Sequence, residues 1–362
     1  MRAWKSLRLI SINGSALIFL LVVVDLFLGD WFKPKPPVSQ VPASIWGSKI
    51  IYDASALTGD PKITYTRDSK GYRNIGDYTN PNVVLTIGGS TTDQRYLSDG
   101  DTWQSILDSL FNKKYQFVNG GVDGQSTFGH VYSINNWHSK ELAPEKVKAI
   151  LFYFGINDGR LLDGELNAYD KLQTASPVDQ IRTLLGRYSF FYQRMKLLRE
   201  RLVASKNNTQ DNSVVWAGHG RREQPFKDSD ANYSISVPAE NQFKYYKQLV
   251  TRLVGDTRNH FPSSNVIFVQ QQIPGCKFLS PIKVIDRHPK SDMDTAKTCI
   301  RLGQIYLAQD QAVAALPKPE QPEILKMYLG QHISDGGVYD YVHTNKSGSR
   351  EIAHYLKKHL PF

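Results

Sequence analysis

Four short segments rich in Gly, Asn, Asp, Ser and His constrain the fold of this chain more than any other sequence feature. They are Ile87–Thr92, Asn119–Gly124, Gly155–Asp158 and Asp340–His343. The first three each follow an apolar run with the length of a strand, and the fourth precedes the last predicted helix. In parallel α/β sheets, ligands lie at the carboxyl ends of the strands. The sequence therefore predicts that all four segments meet at one edge of one sheet.

The rest of the chain shows the same alternation of strands and helices. Apolar runs predict the strands, and runs with helical periodicity predict the helices between them. The predicted strands are 82–87, 115–118, 147–154 and 265–271, and the predicted helices are 102–111, about 178–204, about 240–254 and about 346–360. This order predicts an α/β fold, a three-layer α/β/α sandwich with a mostly parallel central sheet.

The four segments contain the side chains that serine-dependent acyl transfer requires. Ser90 supplies a hydroxyl, His343 supplies a base that titrates near neutrality, and Asp340 can fix the tautomer of that base. Each residue alone has an ordinary explanation, because serines after glycine turns often cap helices and Asp–His pairs are common on surfaces. Their joint order, each near a strand end, favours the catalytic interpretation.

The same segments resemble the motif blocks of the SGNH hydrolases, the GDSL-type esterase and lipase superfamily. The matching positions are Ser90 of the serine block, Asn119 through Gly124 of the glycine block, Gly155, Asn157 and Asp158 of the Gly-x-Asn-Asp block, and Asp340 and His343 of the terminal block. The resemblance is clear over about 80–160 and 335–360, and only topological between them. The segment 65–73 is similar to the lead-in of membrane-anchored bacterial members. One position differs from the family motif. The aspartate of the family's Gly-Asp-Ser is replaced by Gly89 in this sequence.

The resemblance implies a flavodoxin-like sheet and a role for each matched residue. Ser90 is implied as the nucleophile, His343 as the base and Asp340 as the group that orients the base. The implied oxyanion hole consists of the Ser90 and Gly124 backbone N–H groups and the Asn157 side-chain amide. The sequence has none of the short motifs of α/β-hydrolases, zinc proteases or phosphate-binding loops, so we expect no metal and no cofactor.

The N-terminal region predicts a membrane anchor. Arg2, Lys5 and Arg8 precede an apolar stretch over 9–28, and about 20 helical residues suffice to cross the hydrocarbon core. A cleaved signal peptide is the alternative, but the nearest small-residue site, at 41–43, lies late. The basic residues before the stretch predict a cytoplasmic N-terminus and a catalytic body on the periplasmic side of the inner membrane.

Length and composition predict one large domain in addition to the anchor. With 362 residues, of which 41% are hydrophobic, the chain can bury a sizeable core. We expect the anchor at 1–30, a proline-rich linker at 31–48, and the hydrolase domain at 49–362 with an inserted helical and loop segment at about 160–240. Asp25 makes insertion of the predicted span into the membrane less favourable. It lies near the end of the span, where the free-energy cost of inserting a carboxylate is smaller.

Cysteine usage and charge leave alternatives open. Cys276 and Cys299 can form one disulfide or remain two unpaired core thiols. Basic residues of the predicted helix 178–204 contribute to the net charge of +10, either as a solvated face or by attracting anionic lipid or an acidic glycan. Arg95 and Arg160, near the Ser90 and Asn157 segments, are candidates for binding a substrate carboxylate, or they are structural.

These observations together predict a serine esterase that removes a small acyl group, most simply acetyl, from an extracytoplasmic carbohydrate. An O-acyltransferase of a cell-envelope polysaccharide would use the same triad. A catalytically inactive glycan-binding module is a third possibility, which the intact Ser90, Asp340 and His343 disfavour. The sequence predicts no nucleic-acid partner, and it identifies neither the acyl group, the acceptor nor the oligomeric state.

Overall fold

Five parallel strands form the central sheet of the protein, in a computed structural model. The structure describes residues 2–29, 31–32, 47–73, 80–166, 177–195, 198, 226–287, 295–330 and 332–362. The strands are β1 (Ser48–Ala54), β2 (Asp60–Arg67), β3 (Val83–Gly88), β4 (Gln116–Asn119), β5 (Val147–Phe154), β6 (Asn232–Ser234), β7 (Asn265–Gln270), β8 (Cys276–Ser280), β9 (Lys283–Asp286) and β10 (Glu323–Leu325). The α-helices are α1 (Arg2–Leu28), α2 (Ser55–Thr58), α3 (Ser90–Asp93), α4 (Trp103–Leu110), α5 (Thr127–Ser133), α6 (Ser139–Glu141), α7 (Pro177–Tyr188), α8 (Lys244–His260), α9 (Thr295–Ala314) and α10 (Lys346–His359).

The central sheet has the strand order β10–β7–β5–β3–β4, and every neighbouring pair is parallel. In chain order, β3 comes first, β4 lies next to it on one side, and β5, β7 and β10 follow one another on the other side. The strand order therefore reverses between β3 and β5, and such a switch point is where parallel α/β sheets bind ligands. Ser90 follows β3 and Asn157 follows β5, so both lie at this point. The predicted mostly parallel sheet is confirmed.

Helices cover both faces of this sheet, because alternate strand residues point to opposite sides. Val84 and Leu151 lie in one buried core, whereas their neighbours Leu85 and Ile150 lie in the other. Side chains of α4 and α10 complete the first core, and side chains of α5, α8 and α9 complete the second. Each fully buried large aliphatic side chain stabilises the fold by about 1.5–3 kcal/mol.

Several elements of the structure were not predicted from the sequence. Among them are the β1–β2 hairpin, the small antiparallel sheet β6–β9–β8, helices α5 and α9, and the edge strand β10. Strands β6 and β10 have three residues each, which is too short for a strand period to show. Bridges between Arg67 and Arg73, and between Arg73 and Asn119, attach the hairpin to the end of β4. The hairpin is thereby brought to the edge of the sheet that carries Ser90.

The two cysteines form a disulfide. Cys276 lies at the start of β8 and Cys299 lies in α9, and both side chains are buried. The bond therefore joins the small antiparallel sheet to a helix that covers the central sheet. This pairing decides between the two alternatives that the sequence left open.

The chain divides into two compact units, of which the smaller comprises 1–36, 42–44 and 172–215. This smaller unit contains α1, which has 27 residues. None of the helices in the described parts of the chain combines the length and the apolarity of a membrane span. The membrane anchor stays a prediction, and most of the predicted linker at 31–48 lies outside the described residues.

The predicted continuous helix over 178–204 is wrong at Ser189, where the helix is interrupted. Helix α7 ends at Tyr188, and Asp25 Oδ1 accepts hydrogen bonds from Ser189 Oγ at 2.9 Å and from the Phe191 N–H at 3.0 Å. The carboxylate thus satisfies a backbone N–H at the start of the next helical stretch, as a capping group does. Residues 199–204, and most of the predicted inserted segment up to 225, lie outside the described residues.

Candidate active site

Ser90 stands at the sharp turn between β3 and the short helix α3. It is the first residue of α3, so its backbone N–H has no acceptor within that helix. Gly88 and Gly89 make this turn possible: a Cβ on Gly88 would overlap the Thr92 hydroxyl, and a Cβ on Gly89 would overlap the Asn157 side-chain nitrogen. The glycine at position 89, where the family pattern has aspartate, therefore leaves room for the Asn157 amide.

A chain of hydrogen bonds connects Ser90, His343 and Asp340. Ser90 Oγ lies 2.7 Å from His343 Nε2, and His343 Nδ1 lies 2.7 Å from Asp340 Oδ2. With its proton on Nδ1, the imidazole donates to the carboxylate, and Nε2 accepts from the serine hydroxyl. Ser90 and His343 are 253 positions apart in the sequence. The fold therefore brings the three predicted side chains into the order of a nucleophile, a base and an orienting acid.

The electrostatics of the pair favour a charged Asp340 beside His343. Burial raises the pKa of Asp340, but the neighbouring histidine and the hydrogen bonds from the Val342 and His343 backbone N–H groups outweigh it and hold the pKa below its usual value. Burial lowers the pKa of His343, but Asp340 outweighs it, and the carboxylate of Asp123 acts in the same direction, so this pKa lies above its usual value. The carboxylate is thus ionised and ready to stabilise an imidazolium.

The remaining predicted donors, Gly124 and Asn157, lie on two neighbouring loops. Gly124 has φ +73°, in the left-handed region that favours glycine. Asn157 Nδ2 donates to the Gln125 carbonyl at 3.1 Å, which ties the asparagine to the residue after Gly124. An amide nitrogen carries two hydrogens, and this bond uses one of them. No second acceptor for Nδ2 is found among the described residues, so the other N–H can donate to an oxygen bound next to Ser90.

The sequence matches the family model of GDSL-like lipases and acylhydrolases over residues 84–356, about three quarters of the chain. The chain belongs to this family. Members are serine ester hydrolases, so the prediction of such an enzyme is confirmed. The match begins after the N-terminal 83 residues and therefore gives no support for the membrane-anchored type.

No curated protein sequence matches this acylhydrolase significantly. Solved structures do resemble it. A G-D-S-L family lipolytic protein of Veillonella parvula is 15% identical, with 77% of this chain and 97% of that chain covered and a TM-score of 0.38. The esterase EstA of Pseudoalteromonas is 13% identical, with coverages of 78% and 100% and a TM-score of 0.37. Phospholipase A1 of Streptomyces albidoflavus is 10% identical, with coverages of 76% and 99% and a TM-score of 0.36. The family assignment rests on the sequence match, since these scores are low.

Asp158, the last residue of the Gly-x-Asn-Asp block of this acylhydrolase, is a buried anchor. Its Oδ1 accepts from the Thr127 N–H at 2.7 Å, and its Oδ2 accepts from Thr127 Oγ1 at 2.8 Å and from Tyr246 Oη at 3.0 Å. The carboxylate thus joins the Asn157 turn to the start of α5 and to α8. This contact explains why an acidic residue follows Asn157, a reason that the motif itself does not give.

Two further residues near the triad were not anticipated from the sequence. Gln94, which has φ +49°, donates from Nε2 to Thr344 Oγ1 at 2.9 Å and accepts from the Trp103 N–H at 2.9 Å. It therefore connects the Ser90 turn to the residue after His343. Tyr339 lies parallel to the imidazole, with ring centres 5.6 Å apart. No sequence pattern marks either residue, and the positive φ of Gln94 is visible only in the structure.

The structure places the two candidate arginines differently. Arg95 is partly buried: burial lowers its pKa, but the nearby Asp93, Tyr65 and Asp123 outweigh this and raise the pKa above its usual value. Its charge is thus balanced by carboxylates of the protein. Arg160 is exposed on the turn that follows β5. A substrate-binding role for either arginine stays a prediction. Among the described residues, no group of three or more His, Cys, Asp or Glu side chains is arranged to hold a metal ion.

Proposed function

We propose that this acylhydrolase removes a small acyl group, acetyl in the first instance, from an extracytoplasmic carbohydrate through an acyl-enzyme on Ser90. The observation that carries the catalytic part is the hydrogen-bond chain from Ser90 Oγ through His343 to Asp340, with both bonds at 2.7 Å. A serine hydroxyl is a weak nucleophile until a base takes its proton, and this geometry provides the base and its orientation.

In the first half-reaction, Ser90 Oγ attacks the ester carbonyl carbon while His343 Nε2 takes the hydroxyl proton. The carbonyl electron pair moves onto oxygen and gives a tetrahedral oxyanion. As that intermediate collapses, the bond to the sugar oxygen breaks, and the imidazolium returns the proton to this leaving group. Asp340 stays ionised and stabilises the imidazolium during both steps, which agrees with its low pKa.

The oxyanion would accept hydrogen bonds from the backbone N–H groups of Ser90 and Gly124 and from Asn157 Nδ2. These donors are held in place before substrate arrives, since Asn157 is tied to the Gln125 carbonyl and Gly124 lies in a loop packed against α3. Preorganised donors of this kind are among the largest contributions to acyl transfer, because they stabilise charge without reorganising. In the second half-reaction, water attacks the acyl carbon while His343 accepts a proton from it. As this second tetrahedral intermediate collapses, the bond between the acyl carbon and Ser90 Oγ breaks, the carboxylic acid leaves, and His343 returns the proton to Oγ.

Two observations support a small acyl group and an exported carbohydrate substrate. The face of the imidazole is covered by Tyr339, against which Tyr96 packs edge-on, and both tyrosines are buried. The two tyrosines leave that face of the imidazole closed to an acyl chain, which favours a small acyl group. The basic N-terminus and apolar stretch over 9–28 support an anchor that holds the catalytic body in the periplasm. A catalytic body held there would have acylated envelope carbohydrates within reach.

Hydrolysis of acetyl, butyryl and octanoyl aryl esters by the full-length chain and by Ser90→Ala tests this proposal. Ser109→Ala is the matched control, because Ser109 is an exposed serine of α4. We expect acetyl-preferring turnover that Ser90→Ala abolishes and Ser109→Ala retains, followed by Ser90-dependent release of acetate from acetylated polysaccharide.

Other outcomes would point away from an esterase. Ser90-dependent transfer of acetyl to a sugar hydroxyl, with little release to water, would indicate an O-acyltransferase. Absence of Ser90-dependent turnover, together with failure of a fluorophosphonate to label Ser90, would refute the catalytic proposal and favour a glycan-binding module. An octanoyl preference would refute the small-acyl part alone.

A further inference from the structure

Arg67, the last residue of β2, is a buried arginine that contacts two active-site loops at once. Its side chain is 1% exposed. One nitrogen, Nη2, donates to Asp93 Oδ1 at 2.7 Å and to the Gly121 carbonyl at 2.8 Å. Asp93 ends the helix that begins with Ser90, and Gly121 belongs to the loop that ends with Gly124. A single guanidinium therefore bonds the nucleophile turn and the glycine loop.

The rest of the Arg67 side chain is also fixed by hydrogen bonds. Nε donates to Tyr65 Oη at 2.8 Å, and Nη1 donates to the Gly71 carbonyl at 2.8 Å. Tyr65 Oη in turn donates to Asp93 Oδ1 at 3.0 Å. Every nitrogen of the guanidinium thus has an acceptor, so the planar group has little freedom to move. Its attachment to the β1–β2 hairpin makes that hairpin part of the support of the site.

The two loops that Arg67 contacts are also packed directly against each other. A Cβ on Gly121 would overlap the backbone nitrogen of Asp93 and the carbonyl carbon of Thr92. The Asn119 side chain crosses the same boundary, donating to the Thr92 carbonyl at 2.8 Å and accepting from the Gly121 N–H at 2.9 Å. Arg67 adds a further connection between these two loops. A small backbone movement of one loop would therefore displace the other.

We propose that Arg67 is a positioning residue that sets the spacing between the Ser90 and Gly124 backbone N–H groups. The inference rests on the proposed function, in which both groups donate to the oxyanion. It assigns a reason to the Tyr65–Arg73 lead-in: the lead-in carries the guanidinium that holds the two donors together. Donors act on the transition state only when they lie about 2.7–3.1 Å from the developing oxyanion, so a small shift of one loop is costly.

Lysine cannot replace arginine in this role, although it keeps the positive charge. An ammonium is a point charge on a flexible stem, whereas the guanidinium is a rigid planar group with five N–H donors. Arg67→Lys can retain the ion pair with Asp93 but cannot also satisfy Tyr65, Gly71 and Gly121. We therefore expect it to lose the link between the loops while the charge balance of the site remains.

Amide hydrogen exchange of the full-length chain and ester kinetics together test the inference. The variants are Arg67→Lys and, as a control for general loss of stability, Leu253→Ala, a buried α8 residue of the core. We expect the amides of peptides 88–95 and 119–125 to exchange faster in Arg67→Lys than in the wild type. Leu253→Ala, measured at the same number of degrees below its own melting temperature, should not show this change. We expect kcat to fall about 100- to 1000-fold with KM within about threefold, as for loss of an oxyanion donor.

The pH dependence separates positioning of the donors from disturbance of the triad. The midpoint of the acidic limb of kcat/KM should stay where it is in the wild type, since the hydrogen bonds of Arg67 go to Tyr65, Gly71, Asp93 and Gly121, and lysine keeps the positive charge. Unchanged exchange in either loop, or unchanged kcat despite faster exchange, would overturn the inference. A shifted acidic limb would also overturn it, because the triad itself would then be altered. Failure of the proposed function would be seen separately, as wild-type turnover that does not depend on Ser90.

Discussion

Replacing the buried His130 should make the protein less sensitive to acid. His130 lies in α5, with its ring centre 6.0 Å from that of Phe152 and 5.7 Å from that of Phe154. Neither of its ring nitrogens has a hydrogen-bond partner among the described residues. Burial lowers the pKa of His130 to about 3. Burial likewise lowers the pKa of His138, whose Nδ1 pairs with Tyr72 Oη, to about 3, with a smaller contribution from His130.

The magnitude follows from the difference between the folded and unfolded chains. An exposed histidine in the unfolded chain has a pKa of about 6.5 and gains a proton as the pH falls from about 7 to about 5, whereas the buried ring stays neutral. Since the unfolded state binds more protons, the free energy of unfolding decreases as the pH is lowered. The loss over this interval is about 1.9 kcal/mol for each buried histidine. It hardly depends on the folded-state pKa, as long as that pKa lies well below 5.

Urea unfolding at the two pH values, followed by tryptophan fluorescence, measures this effect. On acidification, the free energy of unfolding of His130→Leu should fall by about 1.9 kcal/mol less than that of the wild type. The free energy of unfolding of the exposed control His354→Leu should fall as much as that of the wild type. Asp108, whose pKa burial raises to about 7, titrates in the opposite sense in every variant, so it cancels in the comparison. Equal acid sensitivity of wild type and His130→Leu would refute the reasoning, because His130 would then be protonated or solvated in the folded state.

Two further predictions concern the active site. Asp340→Asn should lower kcat about 10,000-fold with little change in melting temperature, because the amide oxygen stays with the two backbone N–H groups that bond Oδ1, and the NH2 group then donates to Nδ1 and imposes the wrong tautomer; near-normal turnover would remove Asp340 from the triad. Gly89→Ala should lower kcat about 100- to 1000-fold, since a Cβ there would overlap the Asn157 amide nitrogen. The same change made in an Asn157→Ala background should add little, and a full additional loss would show that Gly89 acts by another route.

Local sequence patterns were sufficient for the central strands. The predicted 147–154 coincides with β5. The predictions for β3 and β4 begin and end one residue too early, and the prediction for β7 ends one residue too late. These strands are buried on both faces, so their apolar runs are continuous and are bounded by glycine or asparagine. The helix predicted at 240–254 lies instead at Lys244–His260. Polar residues at both ends of this helix continue into the flanking segments, so the sequence does not mark its first and last residues.

Patterns failed where a contact from outside the segment decides the structure. The basic helix predicted over 178–204 is interrupted at Ser189, and there Asp25 accepts from Ser189 Oγ and the Phe191 N–H. The residues in question have helical periodicity, and only a partner more than 160 positions away shows where the helix is broken. The same holds for β10, which has three residues and exists because β7 pairs with it.

The sequence by itself determined the fold class, the order of the central strands along the chain and the identity of Ser90, His343 and Asp340 as candidates. It could do so because strand periodicity, glycine turns and motif spacing are local properties. Only the tertiary structure decided that Ser90 and His343 approach to 2.7 Å across 253 positions, and that Arg67 joins the Ser90 turn to the glycine loop. Hydrogen bonding and proton transfer depend on distances of about 3 Å between side chains, and those distances are set by the packing of elements remote in sequence.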